Sequence, residues 1–235
     1  MLFVRQATNI PVPKLYALYS DPQTGKNYIM MERIAGETLE SLWPSLSEQE
    51  KDMVIAKLRQ YFDELRRLPS PGYFGRLGGR PLLSFPYHAP SSDPAISGPF
   101  KTEDALNEAL ALRCAQECSS PYMPDFYRQS LPHIFRDHKP TFTHGDLYPN
   151  NILVQRLPQD SHPAGERNSS DEFKVTIIDW QLSGWYPDHW EYSFAIIGSR
   201  WNNDWGLRVG KILDPYYREV QWFYRLYFNV VFGLT

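Results

Sequence analysis

The feature that most constrains the fold of this 235-residue chain is a pair of short apolar segments bordered by oxygen-bearing side chains. The first segment, 152–154, comes directly after Asn151, which stands five residues after Asp146. The second segment, 174–178, ends abruptly at Asp179. Short apolar runs bounded by polar residues are typical of buried strands. We therefore expect two strands whose flanking loop and strand end present two carboxylates and one amide.

Such a trio of oxygen donors suits a hard divalent cation, because Mg²⁺ is held by one or two carboxylates together with water and phosphate oxygens. Phosphoryl transfer asks the protein mainly to position the phosphate, to neutralise its charge and to place a base near the accepting hydroxyl. The protein-kinase template uses His-Arg-Asp, an Asn five residues after that Asp, and a later Asp-Phe-Gly. Here His144-Gly-Asp146 and Asn151 keep this spacing, and Asp179-Trp-Gln takes the place of Asp-Phe-Gly.

Each part of this pattern is weak alone. An Asn that follows a Pro is usually part of a turn, and Asn150 competes with Asn151 for the role of metal ligand. Asn151 fits better, because its spacing from Asp146 matches the template and the strand begins directly after it. His144 is unsuited to the metal, since Mg²⁺ prefers oxygen ligands. The two motifs in this order, each beside a strand, favour a functional interpretation over a purely structural one.

The run His-Gly-Asp-Leu-Tyr-Pro-Asn-Asn-Ile-Leu-Val that starts at His144, followed by Ile-Ile-Asp-Trp at 177–180, resembles the aminoglycoside phosphotransferase and choline kinase group. Residues 98–103 and 185–187 resemble fungal members of that group. The resemblance covers nearly the whole chain. It implies an α+β, two-lobe, protein-kinase-like fold that transfers the terminal phosphate of ATP to a hydroxyl of a small polar or cationic acceptor, with Mg²⁺ as cofactor.

The resemblance also implies a role for each motif residue. Asp146 becomes the catalytic base that accepts the proton of the substrate hydroxyl. Asn151 and Asp179 become the Mg²⁺ ligands, and His144 supports the catalytic loop. The hinge between the lobes, whose backbone groups contact adenine, falls on residues Tyr28, Met30, Met31, Glu32 and Ile34.

The implied domain division places the hinge and a remnant of the N-terminal lobe in residues 1–35, and a mostly helical C-terminal lobe in residues 36–235. The remnant is expected to be a β-hairpin. Extended runs at 14–19 and 27–34 flank the turn Asp21-Pro-Gln-Thr-Gly, and a turn of this composition between two apolar runs predicts two paired strands.

Helix signals dominate the C-terminal part. Ser47 and Glu50 form a capping box before apolar residues at three- and four-residue spacing, which predicts a long helix closed by Pro69. Thr102 is expected to cap a second long helix. The remaining expectations are a short helix from Glu37, an irregular excursion at 69–100, a helical piece at 125–130, an exposed hairpin tip at 155–174 and helices from Asp179 onwards.

A kinase-like nucleotide lobe also needs a phosphate-covering loop, a strand lysine and a helix glutamate. We expect that lysine and glutamate upstream of Met1, with residues 1–6 as the end of the glutamate-bearing helix. Lys14 is interpreted as a surface charge and the glycine-rich run 75–80 as a flexible loop. An incomplete gene product, a short splice form and a catalytically impaired pseudokinase acting as a scaffold stay open as alternatives. Protein kinase activity is disfavoured, because no Ala-Pro-Glu segment follows Asp179.

Composition excludes other classes of function. A net charge of −3 without any Lys/Arg run longer than two argues against nucleic acid and acidic membranes as partners. No apolar stretch approaches the roughly 18 residues that cross a bilayer, and the first ten residues lack the pattern of a signal peptide. The two cysteines, Cys114 and Cys118, exclude a disulfide framework and fit a reducing compartment, so we expect a cytoplasmic protein.

Tryptophans and acidic residues alternate in the segment that follows Asp179. One interpretation is a pocket that binds a cationic acceptor through charge and ring faces. The other interpretation, which we favour, is that the aromatic rings pack the C-terminal helices. The residues concerned are Trp185, Asp188, Trp190, Glu191, Trp201, Asp204 and Trp205.

Overall fold

The computed structural model describes residues 1–88, 93–157 and 172–232. Contacts divide the chain into two units, the first formed by Met1–Leu65 with Tyr148–Asp179 and the second by Arg66–Leu147 with Trp180–Thr235. The chain thus leaves the first unit after Leu65, returns to it at Tyr148 and leaves it again after Asp179. The division at residue 35 between a hinge-bearing remnant and a C-terminal lobe stays a prediction.

A short helix, α1 (Leu2–Ala7), and an antiparallel hairpin begin the first unit. Strand β1 (Leu15–Ser20) pairs with β2 (Asn27–Met31). The turn closes where the N–H of Gly25, at a φ of 66°, donates to the carbonyl of Asp21 over 2.8 Å. The predicted hairpin is therefore confirmed. Its large apolar side chains are exposed: Tyr16, Leu18, Tyr19, Tyr28, Ile29, Met30 and Met31.

A three-stranded antiparallel sheet forms the core of the first unit, in the order β3 (Glu37–Thr38), β5 (Ile152–Arg156), β6 (Phe173–Ile177). The two strands predicted around the catalytic motifs are β5 and β6, and they pair directly with each other. Most of the polar tip expected between them lies outside the described residues. The short helix expected from Glu37 begins later, as α2 (Leu39–Leu42), because Glu37 and Thr38 pair with β5 and Thr38 then caps the helix.

Gly36 lies where the chain enters β3, in a backbone conformation that only glycine adopts easily. Its φ is +115°, and a Cβ atom there would lie 2.4 Å from the carbonyl oxygen of Val154. Contacts below 3.0 Å between a Cβ and backbone require the backbone to move. The close approach of the chain to β5 therefore depends on glycine at this position.

The substitution Gly36→Ala is expected to lower the free energy of unfolding by about 2–5 kcal/mol, since it adds backbone strain to a steric clash with β5. The matched control is Gly25→Ala, which also has positive φ but has no atom within 4 Å of the new Cβ. That control should cost only about 1–2 kcal/mol. Urea unfolding of both variants measures the difference, and equal losses would show that the approach to Val154 carries no strain.

The long helix α3 (Glu48–Arg66) follows the predicted capping box. The N–H of Ser47 donates to the carboxylate of Glu50 over 2.8 Å, and the N–H of Glu50 donates back to Ser47 Oγ over 3.3 Å. Within the first unit, α3 is fastened to β6 because Lys57 Nζ donates to the Phe173 carbonyl over 2.6 Å. The predicted long helix is confirmed, and it contacts β6 at the first residue of that strand.

The second unit is mostly helical. Its helices are α4 (Pro94–Ser97), α5 (Glu103–Glu117), α6 (Met123–Ile134), α7 (Trp190–Ile197), α8 (Trp205–Ile212) and α9 (Tyr217–Phe232). Thr102 caps α5 as expected, accepting from the Ala105 N–H over 3.2 Å. The helical piece expected at 125–130 is longer in the structure. Helix α6 continues through Pro132, and Leu131 is buried in the core.

Two four-residue strands of the second unit were not predicted. Strand β4 (Pro140–Thr143) pairs antiparallel with β7 (Gly184–Pro187), with Phe142 opposite Trp185 and their rings edge-on at 5.1 Å. The expectation that helices alone follow Asp179 is therefore wrong. Burial of this aromatic pair stabilises an extended conformation in segments too short to show a period of their own. No helix among residues 1–88, 93–157 and 172–232 combines the length and apolarity that a membrane span requires.

Candidate active site

The catalytic motif leaves β4 through His144, whose side chain is fully buried in the second unit. The N–H of Asp146 donates to His144 Nδ1 over 3.2 Å, which makes this ring nitrogen the acceptor. The imidazole also contacts the Trp180 ring edge-on, with centroids 4.6 Å apart. The loop thus passes around the imidazole, while the Asp146 side chain stays partly exposed. The supporting role of His144 stays a prediction.

A buried carboxylate holds the backbone of the same loop. Glu191, in the first turn of α7 and 1% exposed, accepts the N–H of His144 over 2.6 Å and the N–H of Gly145 over 3.1 Å. Burial raises the pKa of Glu191 to about 7, the two backbone hydrogen bonds oppose that rise, and the charge of Asp146 adds to it. Glu191 therefore fixes the two residues that precede Asp146.

Gly145 occupies the position at which the protein-kinase template has arginine. Its φ is +84°, and a Cβ there would lie 2.8 Å from the carbonyl oxygen of Leu182. The loop passes so close to the segment after Trp180 that no side chain fits. Glycine at this position is thus a requirement of the loop path within the second unit.

The two predicted metal ligands lie at neighbouring strand ends of the first unit. Asn151 ends a 3₁₀ turn (Pro149–Asn151) directly before β5, and its carbonyl accepts the N–H of Ile178 over 2.9 Å. Asp179 follows Ile178, with a left-handed φ of 61° that Asp tolerates better than most residues. The backbone therefore brings Asn151 and Asp179 side by side, with Asn151 partly exposed and Asp179 exposed.

The donor set of this pair fits Mg²⁺. An amide oxygen and a carboxylate are hard ligands, and a site with only one or two carboxylates is typical of magnesium that retains water and phosphate ligands. Solvent exposure of Asp179 leaves its oxygens open to such ligands. Asn151 and Asp179 are thus a pair of described residues that could hold the ion.

The predicted hinge residues lie on and just after β2. Glu32 continues the pairing, because its N–H donates to the Lys14 carbonyl over 2.8 Å and its carboxylate accepts the Lys14 N–H over 3.0 Å. The side chains of Met30 and Met31 are exposed, and Ile34 follows in an irregular segment. The first unit therefore contains the hinge residues as well as Asn151 and Asp179, whereas His144 and Asp146 belong to the second.

Most tryptophans of this segment pack the second unit, as favoured from the sequence, but Trp201 is 58% exposed. Trp185, Trp190 and Trp205 are at most 4% exposed, and the Glu191 carboxylate is occupied by the loop backbone. As an acidic residue among tryptophans, Glu191 is predicted only as part of a cation pocket, and the sequence gives no sign of its contact with the catalytic loop. No spacing signal marks that contact, because its partners are backbone groups 46 and 47 positions away.

Comparison with known proteins identifies the family of this chain. Residues 2–223 match the model of the phosphotransferase enzyme family (APH). A subtelomeric hrmA-associated cluster protein of Aspergillus fumigatus is 28% identical over 106 residues, which are 44% of this chain and 21% of that protein. The chain therefore spans about a fifth of the length of the curated relatives it matches.

Solved structures with little sequence similarity share the fold. The GDP and kanamycin complex of APH(2")-IIia is 16% identical, with a TM-score of 0.58, and the match covers 96% of this chain and 69% of that one. A protein from Haemophilus somnus described as a fructosamine-3-kinase is 12% identical, also with a TM-score of 0.58, over 99% and 69% of the two chains. The predicted protein-kinase-like fold is therefore confirmed.

Proposed function

Because the chain belongs to the phosphotransferase enzyme family, we propose that it transfers the terminal phosphate of ATP to a hydroxyl group of a small molecule. The observation that carries this proposal is the loop around Asp146. Its backbone is held on one side by the buried carboxylate of Glu191 and on the other by the ring of His144. A loop backbone held at these points positions the residue that carries the carboxylate, and general-base catalysis requires a positioned base.

Asp146 acts as the base in this proposal. Its partly exposed carboxylate accepts the proton of the acceptor hydroxyl as that oxygen attacks the terminal phosphorus of the nucleotide. The bond from phosphorus to the bridging oxygen breaks, and ADP leaves. The carboxylate returns the proton to solvent afterwards.

Asn151 and Asp179 hold Mg²⁺ in this proposal, an assignment supported by their oxygen donors and their adjacent backbone positions. When bound, the ion neutralises charge on the phosphate groups of the nucleotide. Asp179 supplies the negative charge of the pair, and Asn151 supplies a neutral oxygen. A pair with one charge retains open positions for phosphate oxygens better than a closed cage of carboxylates does.

The adenine ring is assigned to the segment after Tyr28. Backbone groups between Met30 and Ile34 are proposed to bind its edge, and the exposed methionine side chains offer polarizable apolar surface for its faces. Residues 1–35 then act as the hinge-bearing part and residues 36–235 as the catalytic part. We further propose a cytoplasmic location, with which the two unbridged cysteines agree.

Two relatives suggest the chemical class of the acceptor. One was solved with kanamycin and the other is described as a fructosamine kinase, and both ligand classes are polar molecules that carry several hydroxyl groups. We propose an acceptor of this class for the present chain. Because one relative holds GDP, GTP belongs beside ATP among the donors to be tested.

The proposed function is tested by incubating the chain with Mg²⁺ and γ-labelled ATP or GTP against a panel of aminoglycosides, amino sugars, fructosamines and amino alcohols. Transfer of label to at least one acceptor, in proportion to enzyme, is the expected result. A folded chain that binds Mg²⁺-nucleotide but labels none of these acceptors would instead be a nucleotide-binding protein without this activity. Equal labelling by Asp146→Asn would refute the proposed base.

A further inference from the structure

The only two cysteines of the chain lie against each other at the end of α5. Cys114 is in the last turn of the helix, fully buried in the core of the second unit. Cys118 caps the same helix and is partly exposed. The two Sγ atoms are 2.8 Å apart, and both residues are free thiols.

The backbone between these residues meets the distance requirement of a disulfide. A helical rise of about 1.5 Å per residue separates two Cα atoms four positions apart by about 6 Å, and disulfides join Cα atoms about 4.4–6.8 Å apart. Cys118 has extended backbone angles, φ −82° and ψ 141°, while its N–H still donates to the Cys114 carbonyl over 2.8 Å. The sulfurs need to approach by roughly 0.8 Å to reach bonding distance.

We propose that Cys114 and Cys118 form a redox-sensitive dithiol that closes to an intramolecular disulfide by exchange with a small-molecule disulfide of the glutathione type. This site lies in the helical core of the second unit and is independent of the phosphoryl-transfer chemistry proposed above. It makes the end of α5 a modification site that responds to the ratio of disulfide to thiol in the surrounding solution.

The two thiols have different roles in the exchange. Cys118 is the accessible one, so its thiolate attacks one sulfur of glutathione disulfide, forms a mixed disulfide and releases one glutathione thiolate, which takes up a proton. Burial raises the pKa of the Cys114 thiol, and its hydrogen bond to Cys118 adds to the rise, so Cys114 is a poor first nucleophile. Within contact distance of the mixed disulfide, Cys114 loses its proton, attacks the Cys118 sulfur and expels the second glutathione.

The net reaction balances: two protein thiols are oxidised to one disulfide, and one glutathione disulfide is reduced to two thiols.

Closure of the disulfide also changes a contact with α9. The Cys118 thiol donates to the Asn229 carbonyl over 3.5 Å, and a disulfide has no S–H with which to do so. Oxidation therefore links the last turn of α5 covalently to its C-cap residue, Cys118. It also removes the hydrogen bond between Cys118 and α9.

The experiment is intact-mass spectrometry of the native chain after treatment with glutathione disulfide, followed by denaturation and alkylation. The wild type is expected to lose two hydrogen atoms and to take up no alkyl group, and dithiothreitol should restore both thiols. In Cys114→Ser the partly exposed Cys118 should retain one glutathione as a stable mixed disulfide. In Cys118→Ser the buried Cys114 should resist glutathione disulfide and remain open to alkylation after denaturation.

Three outcomes for the treated wild type would overturn the proposal. The chain could keep bound glutathione, both of its thiols could still react with the alkylating reagent, or it could form a disulfide-linked dimer on a non-reducing gel. Cys114→Ala serves as a second variant if Cys114→Ser does not melt cooperatively, since it leaves no hydroxyl in the buried position. Both must give the same mixed disulfide at Cys118. Failure of this test leaves the phosphotransferase proposal untouched, because nucleotide binding and transfer are measured separately.

Discussion

Phosphoryl transfer by Asp146→Asn is expected to fall by about two to four orders of magnitude, the usual contribution of a positioned general base. Asparagine has the same shape as aspartate and keeps the backbone N–H that donates to His144, so the loop should not move. It cannot accept the hydroxyl proton. Initial rates of label transfer to the best acceptor, at saturating Mg²⁺-ATP, measure the loss.

The matched control is Asp104→Asn, which removes one exposed carboxylate from the first turn of α5. Its transfer rate should equal that of the wild type, and nucleotide binding should be the same in both variants. A rate loss confined to Asp146→Asn assigns the base. Wild-type transfer by Asp146→Asn would mean that another group, or water alone, takes the proton.

Replacing Glu191 by alanine is expected to lower the free energy of unfolding by about 2–4 kcal/mol. The change removes the carboxylate that accepts the buried N–H groups of His144 and Gly145, and the loss of such an acceptor costs about 1–3 kcal/mol for each group. Relief of the buried charge offsets part of this loss. For a chain of this size the melting temperature should fall by about 2–4 °C per kcal/mol. Transfer should fall as well, since Asp146 follows the released backbone.

The variant Glu191→Gln separates the charge from the hydrogen bonds, because it retains one acceptor oxygen but cannot titrate. The folded-state pKa of Glu191, about 7, exceeds its ordinary value of 4.5, so the folded chain holds the proton between these values. This raised pKa contributes stability at low pH that is lost as the pH rises from 4.5 through 7. The wild type should lose stability relative to Glu191→Gln over that range. If the free energy of unfolding depended on pH in the same way in the wild type and in Glu191→Gln, Glu191 would not be the buried titrating group.

The parts of the fold that local signals specify were predictable from the sequence. A turn between two apolar runs identified the hairpin of β1 and β2, and Ser47 with Glu50 identified the start of α3. Strands β5 and β6 were predictable because each is a short apolar run beside a motif. Strands β4 and β7 were not, because two four-residue segments acquire their extended form only by pairing across a long sequence separation.

The residues of the candidate site were likewise predictable only where a local sequence pattern marks them. His144, Asp146, Asn151 and Asp179 were identified by spacing and strand context, and the backbone contact from Ile178 to Asn151 agrees with the expected proximity of two of them. The contact of Glu191 with the catalytic loop was not predicted. Its hydrogen-bond partners are backbone N–H groups, which every residue except proline has, so the sequence does not identify them. The roles of all these residues in catalysis stay predictions.

A thermal melt with and without Mg²⁺-ATP tests directly whether this chain has a Mg²⁺-nucleotide site. Asp179→Asn is the variant to compare, since asparagine also tolerates the left-handed φ of 61° but removes the charge. At about 100 times its Kd the nucleotide should stabilise the wild type by roughly 2.7 kcal/mol, or about 5–10 °C. We expect this shift to require Mg²⁺ and to be largely lost in Asp179→Asn. An equal shift in that variant or without Mg²⁺, or no shift in a wild type that melts cooperatively, would contradict this expectation.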